Sequence, residues 1–256
     1  MSYRLFDAHS YSLSLPAPQL SFELPLDDAF AALGWYLLGS SQRLAEQYRF
    51  NGHWRLLVDW VAQLSELRAL LGSLGQAAPR SSSSELRSLL DALLNEWRPR
   101  VQAGVLDDST RQAAPAQFAA ELQGTRWGLF SLNLSRWLLA RAWTAERNNR
   151  GNRQGAAALG NWLPTLLKDE GTDLQLKRYQ QQPEDLAEQL PRLERLLTWL
   201  HLARNVLDVP EVDRLYGELC KLSELAQRPI SPELLDERMS QAQTVQSLKA
   251  WKVLVK

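Results

Sequence analysis

The chain has 256 residues, of which 29 are basic and 29 acidic, so its formal net charge is zero. Hydrophobic residues make up 45% of it, a share that is typical of a globular protein and excludes a disordered one. The sequence has neither an apolar run near the roughly 20 residues that span a membrane nor the charged start and apolar block of a signal peptide, so we expect a soluble, cytoplasmic protein.

The first half of the chain begins with a predicted extended arm over residues 1–22, where apolar and polar residues alternate before the turn-forming "PAPQ". Beyond it, apolar residues recur at three and four positions, as a buried helix face requires. The predicted helices span about 27–50, 54–74, 85–97 and 116–143. Ser82 and Glu85 have the spacing of a capping box, and Pro99 and Gly104 are expected to end the third helix. The fourth helix is apolar on most sides in its second half and is expected to be buried.

The second half of the chain has a similar succession of helices and loops. The predicted helices span about 156–170, 174–179, 183–200, 210–227 and 232–243. Pro191 is expected to kink or restart the third of these. The closing "AWKVLVK" has strand character, and its pairing with the N-terminal arm stays open. About four helices on each side of residue 150 predict an all-α fold of two stacked helical bundles joined by a loop.

Arginine is concentrated where the two halves meet, in and before "RNNRGNRQG". Between Arg126 and Gly155 there are six arginines and one acid, whereas between Asn161 and Ser240 there are fifteen acids and ten bases. Arginine accounts for 23 of the 29 basic residues, and it binds phosphate through two parallel hydrogen bonds. Two explanations stay open: an anion-binding site, or a solvated connector in a protein whose genome favours arginine.

Side chains that commonly carry catalysis or hold metals form no motif in this sequence. His9, His53 and His201 lack the spacing of metal ligands, and the single cysteine, Cys220, has no partner for zinc or for a disulfide. There is no phosphate-binding glycine loop, nucleophile elbow or dinucleotide fingerprint. We therefore expect a non-enzymatic protein without metal or cofactor.

Tryptophan and arginine alternate along the predicted helix 116–143. The residues concerned are Trp127, Trp137, Trp143, Arg126, Arg136 and Arg141. Such interleaving can stack nucleic-acid bases, but it also describes core tryptophans covered by the stems of arginines. The zero net charge argues against nucleic acid as a partner.

Residues from about 24 to 245 resemble the CHAD half of bacterial CYTH–CHAD inorganic triphosphatases. The resemblance rests on the apolar pattern, arginine placement and loops of the stretches "LRALLGSLGQAAPRSSSSELRSLLDALL", "FSLNLSRWLLARAW" and "DLAEQLPRLERLLTWLHLARNVLDVPEVDRLYGELCKLSEL". It implies a bacterial, all-helical protein with two antiparallel four-helix bundles related by a pseudo-twofold axis. It places the bundles at about 23–147 and 156–245, with a tail over 246–256, and implies inorganic polyphosphate held in a basic groove between them.

The sequence departs from the CHAD pattern at the residues that name the family. In the first motif, a histidine followed by a basic ladder, Val58 takes the histidine position and only Leu67 and Arg68 of the final block remain. In the second motif Pro191 replaces the histidine, Glu194 the arginine and His201 a later arginine. The E-x-E-x-K strand of the triphosphatase half is absent, so the chain resembles the CHAD half alone.

Two main hypotheses about function follow from the resemblance and the departures. The first is a non-catalytic polyphosphate or polyanion binder, whose affinity would fall steeply with salt. Its candidate anion-binding residues are Arg68, Arg126, Arg136, Arg141, Arg195, Arg204 and Lys221, and we expect them to converge on one concave face. The second is a scaffold or protein-interaction domain that has lost the polyphosphate site and docks a protein partner, for example a triphosphatase.

Overall fold

The fold is all-α, as the sequence predicted. The computed structural model describes residues 15–77, 83–144, 157–176, 178, 182–207, 211–228 and 230–255. Contacts divide these residues into two compact units. The first consists of residues 15–18 and the described part of Phe30–Arg153, and the second of Gln19–Ala29 and the described part of Gln154–Lys256.

Five long helices make up most of the described part of the first unit. They are α1 (Leu26–Asn51), α2 (Trp54–Ala77), α3 (Ser84–Leu106), α4 (Asp108–Gln123) and α5 (Thr125–Ala140). The first turn of α1 belongs to the second unit. At the centre, the Phe118 ring of α4 meets Tyr48, Trp60 and Trp97 edge-on, with ring centroids 4.6 to 5.0 Å apart. This aromatic cluster joins α1, α2, α3 and α4 in one core. Its edge-to-face ring pairs stabilise the core beyond the contribution of the buried area.

The second unit contains five further α-helices and one 3-10 helix. They are α6 (Leu159–Asp173), the 3-10 helix (Pro183–Gln189), α7 (Leu190–Leu202), α8 (Val212–Gln227), α9 (Pro232–Ser247) and α10 (Lys249–Leu254). Residues around the start of α1 pair with residues around the start of α6: the Leu26 amide donates to the Ala157 carbonyl, and the Leu159 amide donates to the Leu24 carbonyl. Trp199 of α7 is fully buried and its ring packs edge-on against Trp162 of α6. Pro191 lies in the first turn of α7, so of the two outcomes predicted for it, a kink or a restart, the structure has the restart.

The predicted helix 116–143 is in fact two helices that meet at Gly124. This residue has an extended backbone, with φ −75° and ψ 164°, and it ends α4 and begins α5. Apart from proline, glycine is the residue that most destabilises the interior of a helix. The first of the two helices also begins earlier than predicted, because the Asp107 carboxylate caps it by accepting from the amides of Ser109 and Thr110.

The prediction that Pro99 and Gly104 end the third helix is also wrong, since α3 continues to Leu106. Gly104 is buried inside this helix, and an added Cβ would lie 2.4 Å from the Trp54 ring. The glycine therefore makes room for a tryptophan of α2. Ser82 of the predicted capping box lies outside the described residues.

Both ends of the chain differ from the sequence prediction. The closing residues form α10 rather than a strand or a tail, and they bury Ala250, Trp251 and Leu254 on one face. Their spacing of one, three and four residues is that of a helix face. Residues 1–14 of the predicted arm lie outside the described residues, and 15–21 form neither helix nor strand. The predicted helix 174–179 begins as a turn with Gln175 at φ 47°, and Lys177 and Tyr179 are outside the described residues.

Candidate interaction surface

Two of the candidate anion-binding residues of the first unit lie beside carboxylates of α3 and α4. Arg68 of α2 forms an ion pair with Asp91 of α3. Arg126 of α5 contacts Glu96 at 2.5 Å and also pairs with Glu121, whose side chain is 8% exposed. Hydrogen bonding to Glu121 is the main influence that raises the pKa of Arg126, against the opposing effect of burial. Both guanidinium groups therefore link helices within the unit.

The other two candidates of the first unit lie at the end of α5. Arg136 is exposed and has no carboxylate partner among the described residues. Arg141 is also exposed and caps α5 in the left-handed conformation, with φ 46° and ψ 47°. Its backbone amide donates to the Leu138 carbonyl at 3.2 Å. Both arginines are exposed at the end of α5.

All three candidates of the second unit form ion pairs. Arg195 of α7 makes a two-pronged contact with Glu170 of α6, at 2.6 and 2.9 Å, and the Glu170 side chain is only 4% exposed. Arg204 pairs with Asp213 at the surface, and Lys221 pairs with Glu218 at 2.8 Å. At least five of the seven predicted anion-binding cations thus contact a carboxylate of their own unit. The prediction that the seven converge on one concave face stays a prediction.

Val58 and His201, at which the sequence departs from the CHAD pattern, and the single cysteine, Cys220, each pack against other parts of the protein. Val58 is half-buried on α2, and the ring of His201 stacks on Tyr216 with centroids 6.0 Å apart. Burial raises the pKa of the Cys220 thiol to about 11, which disfavours the nucleophilic thiolate at neutral pH. The described residues hold no group of three or more histidine, cysteine or carboxylate side chains placed to bind a metal.

A groove lies between α1 and α5 on the surface of the first unit. The two helices run antiparallel, because Gly34 faces Leu138 and Gln42 Nε2 donates to Ser131 Oγ at 2.7 Å. Beyond the start of α5, Arg49 donates to the Leu122 carbonyl of α4 at 2.7 Å and pairs with Glu46 at 2.6 Å. The groove encloses about 550 Å³. Glu46 and Arg49 line it from α1, and Trp127, Gly128, Leu132 and Ser135 from α5 and its start.

Apolar side chains are exposed on α5 and α1, contrary to the prediction that the second half of the helix 116–143 is buried, and one of them, Leu132, lines the groove. Leu132 is 57% and Leu139 80% exposed on α5, and Trp35 is 43% exposed on α1. Leu132 and Leu139 are seven residues apart and so share one face of α5. The physical reason is that α3 and α4 pack against α5, so side chains such as Phe130, Leu134 and Trp137 are buried while Leu132 and Leu139 are left in solvent.

The sequence analysis did not identify these groove residues. When apolar residues lie on all sides of a helix, the sequence does not indicate which side packs against a neighbouring helix. The one available signal was the spacing of Gln42, Glu46 and Arg49, which places three polar side chains on one face of α1.

No helix of the described residues is long and apolar enough to cross a bilayer. Comparison of the sequence with models of known protein families, and with curated proteins, finds no significant match.

Proposed function

We propose that this chain is a non-catalytic, CHAD-like helical domain that recognises another protein and does not retain a working polyphosphate site. The observation that carries the proposal is the pairing of the predicted anion-binding cations with carboxylates. Arg68, Arg126, Arg195, Arg204 and Lys221 each contact an acidic side chain of the same unit.

Pairing of this kind opposes phosphate binding for two reasons. A phosphate that approached Arg126 or Arg195 would have to displace Glu121 or Glu170, which are largely buried. The displaced carboxylate would remain close by and repel the phosphate. A buried carboxylate without its counter-charge costs several kcal/mol, and this cost would be subtracted from the binding free energy.

The exposed apolar side chains favour a protein partner. Trp35, Leu132 and Leu139 are exposed on the surface of the first unit, and exposed apolar side chains that cluster among polar residues are typical of an interaction site. Tryptophan and arginine are also the residues most enriched among those that dominate protein–protein binding energy.

A second candidate function is binding of a phosphate polymer at the end of α5. It is favoured by Arg136 and Arg141, which are both exposed, and by Arg147, Arg150 and Arg153, which follow in the sequence. The last three lie outside the described residues.

Binding of long-chain polyphosphate to the full chain separates the two functions. We would measure it by anisotropy at about 50 and about 200 mM salt, with single-stranded DNA as competitor. The protein-interaction proposal predicts weak binding that DNA displaces equally well. Tight, polyphosphate-selective binding would refute it. Loss of that binding in Arg136→Ala but not in Arg204→Ala would place the site at the end of α5.

A further inference from the structure

The described part of the chain begins beside the middle of α1. Leu15 belongs to the first unit, and a Cβ added to Gly39 of α1 would lie 2.9 Å from Leu15 Cδ1. Gly39 is 13 residues beyond Leu26, the first residue of α1, which corresponds to about 20 Å at 1.5 Å per residue. Traced backwards from Leu26, the chain has therefore moved towards the C-terminal end of α1 when it reaches Leu15.

The groove between α1 and α5 begins one helical turn beyond this contact. Gln42 and Glu46, which line it, lie three and seven residues after Gly39 and so share a face of α1 with it. The lining continues to Arg49, which is about 15 Å along the helix axis from Gly39. A segment that continues in the same direction beyond Leu15 enters the groove.

The residues before Leu15 have the length and the pattern to fill the groove in an extended conformation. An extended chain rises about 3.3 Å per residue, so the five residues 10–14 reach about 16 Å, which matches the groove. In the stretch "SYSLSL" serine alternates with Tyr11, Leu13 and Leu15. Alternate side chains of an extended segment lie on the same side, so Leu13 and Tyr11 would share the side on which Leu15 packs against α1.

The charge of the groove matches an uncharged occupant. Its two charged lining residues, Glu46 and Arg49, pair with each other at 2.6 Å. Residues 8–15, "AHSYSLSL", contain no acid, lysine or arginine. Insertion of this segment therefore leaves no charge without a partner in the groove, which would be costly.

The lining also offers apolar contacts and space for the side chains of the segment. Leu122, Trp127 and Leu132 line the groove, and Leu132 is 57% exposed. Gly128 in the lining has nothing within 4 Å of an added Cβ, so it leaves open space for an inserted side chain. Covering Leu132 with a leucine or tyrosine removes apolar surface from water, which favours the seated arrangement.

We propose that the α1–α5 groove is the seat of the chain's own N-terminal segment. Residues 10–14 lie along the groove of the same molecule, and Leu13 and Tyr11 pack on its apolar side chains. A protein partner that binds in this groove must displace the segment, which thereby regulates access to it. Only this regulatory consequence rests on the proposed protein-interaction function, and the seating of the segment does not.

Disulfide trapping in the full chain tests the position of the segment. Leu13→Cys is combined with Leu132→Cys in a Cys220→Ala background, and the protein is treated with oxidised glutathione. The matched control combines Leu13→Cys with Leu139→Cys, because Leu139 lies on the same helix and is more exposed, at 80%, but is about 10 Å farther along it. A disulfide requires Cα atoms within about 7 Å of each other, so we expect an intramolecular disulfide with Leu132→Cys that forms about tenfold faster than in the control.

Two outcomes of the trapping would overturn the proposal. An unseated segment would react with the more exposed Leu139→Cys at least as fast as with Leu132→Cys. A disulfide-linked dimer would show that the segment of one molecule occupies the groove of a second copy.

Thiol labelling gives a second readout on the full chain. The cysteine of Leu132→Cys should react about tenfold more slowly than that of Ile230→Cys, although the two native side chains are similarly exposed, at 57% and 61%. Leu13→Asp should remove this difference, whereas Ser12→Asp, whose side chain has the opposite orientation in an extended segment, should preserve it. Circular dichroism checks that each variant is folded.

Equal labelling of the two cysteines, or protection that Leu13→Asp leaves intact, would contradict the seating of the segment. Neither measurement involves a protein partner or polyphosphate. Failure of this inference is therefore distinguishable from failure of the proposed function, which the polyphosphate titration tests.

Discussion

The ion pair between Arg195 and Glu170 allows a quantitative test of whether the predicted anion-binding cations serve the fold. Arg195 donates from Nε and Nη2 to the two carboxylate oxygens of Glu170, at 2.6 and 2.9 Å. The side chain of Glu170 is 4% exposed and that of Arg195 24% exposed. Arg195→Ala would leave a buried carboxylate without its counter-charge.

The size of the expected effect follows from this burial. Removing one partner of a buried ion pair costs about 3–5 kcal/mol. Because about a quarter of Arg195 remains in solvent, we expect Arg195→Ala to lower the free energy of unfolding by about 3 kcal/mol, at the lower end of this range. Arg204→Ala is the control, since Arg204 and Asp213 are 60% and 63% exposed, and it should cost about 0–1 kcal/mol. The pair replacement Arg195→Met with Glu170→Leu should recover most of the loss, because it removes both charges.

Urea unfolding followed by tryptophan fluorescence measures these differences, and equal m-values would show that the variants unfold in the same way. The reasoning fails if Arg195→Ala costs no more than Arg204→Ala. It also fails if the pair replacement is less stable than Arg195→Ala, since the cost would then not come from an uncompensated charge.

Three further predictions concern buried or capped groups. Arg238 is fully buried and donates to the carbonyls of Leu225, Ala226, Arg228 and Pro183. Arg238→Ala should therefore lower the free energy of unfolding measured in urea by about 3 kcal/mol, because several buried carbonyls lose their donor, and a loss below about 1 kcal/mol would contradict this. Because the pKa of Cys220 is raised from 9.0 to about 11, its thiolate fraction at pH 8 is about a hundredfold lower than in the unfolded chain. Labelling of Cys220 by a thiol reagent should therefore be about a hundredfold slower in the folded protein than in the unfolded chain. The stabilisation linked to this thiol is present below pH 9 and is lost as the pH rises towards 11. Hydrogen bonds from Thr110 and Ser109 lower the pKa of Asp107 to about 2, so its stabilising effect is present above pH 3.8 and lost as the pH falls through about 2. A carboxyl titration by NMR with a midpoint near the ordinary 3.8 would refute this capping argument.

The sequence by itself determined the helical class and most helix positions. Apolar residues three and four positions apart specify that a segment is a helix with one buried face. Pro191 restarts a helix because proline lacks the amide hydrogen that the helix interior uses. Local signals failed where packing outweighed them. Gly104 reads as a helix end, but it lies inside α3 because the Trp54 ring needs the space. The end of the chain reads as a strand, but it forms a helix that buries Trp251.

Which side chains remain exposed or uncompensated depended on tertiary structure. Composition showed that arginine is abundant, but not that Arg126 meets Glu121 or that Arg195 meets Glu170, because these partners come from different helices. Likewise, the leucines of α5 are chemically alike, and only the packing of α3 and α4 decides that Phe130 is buried while Leu139 is exposed. Sequence periodicity specifies which residues share a helix face, whereas the neighbouring helices determine which face is buried and which charges are neutralised.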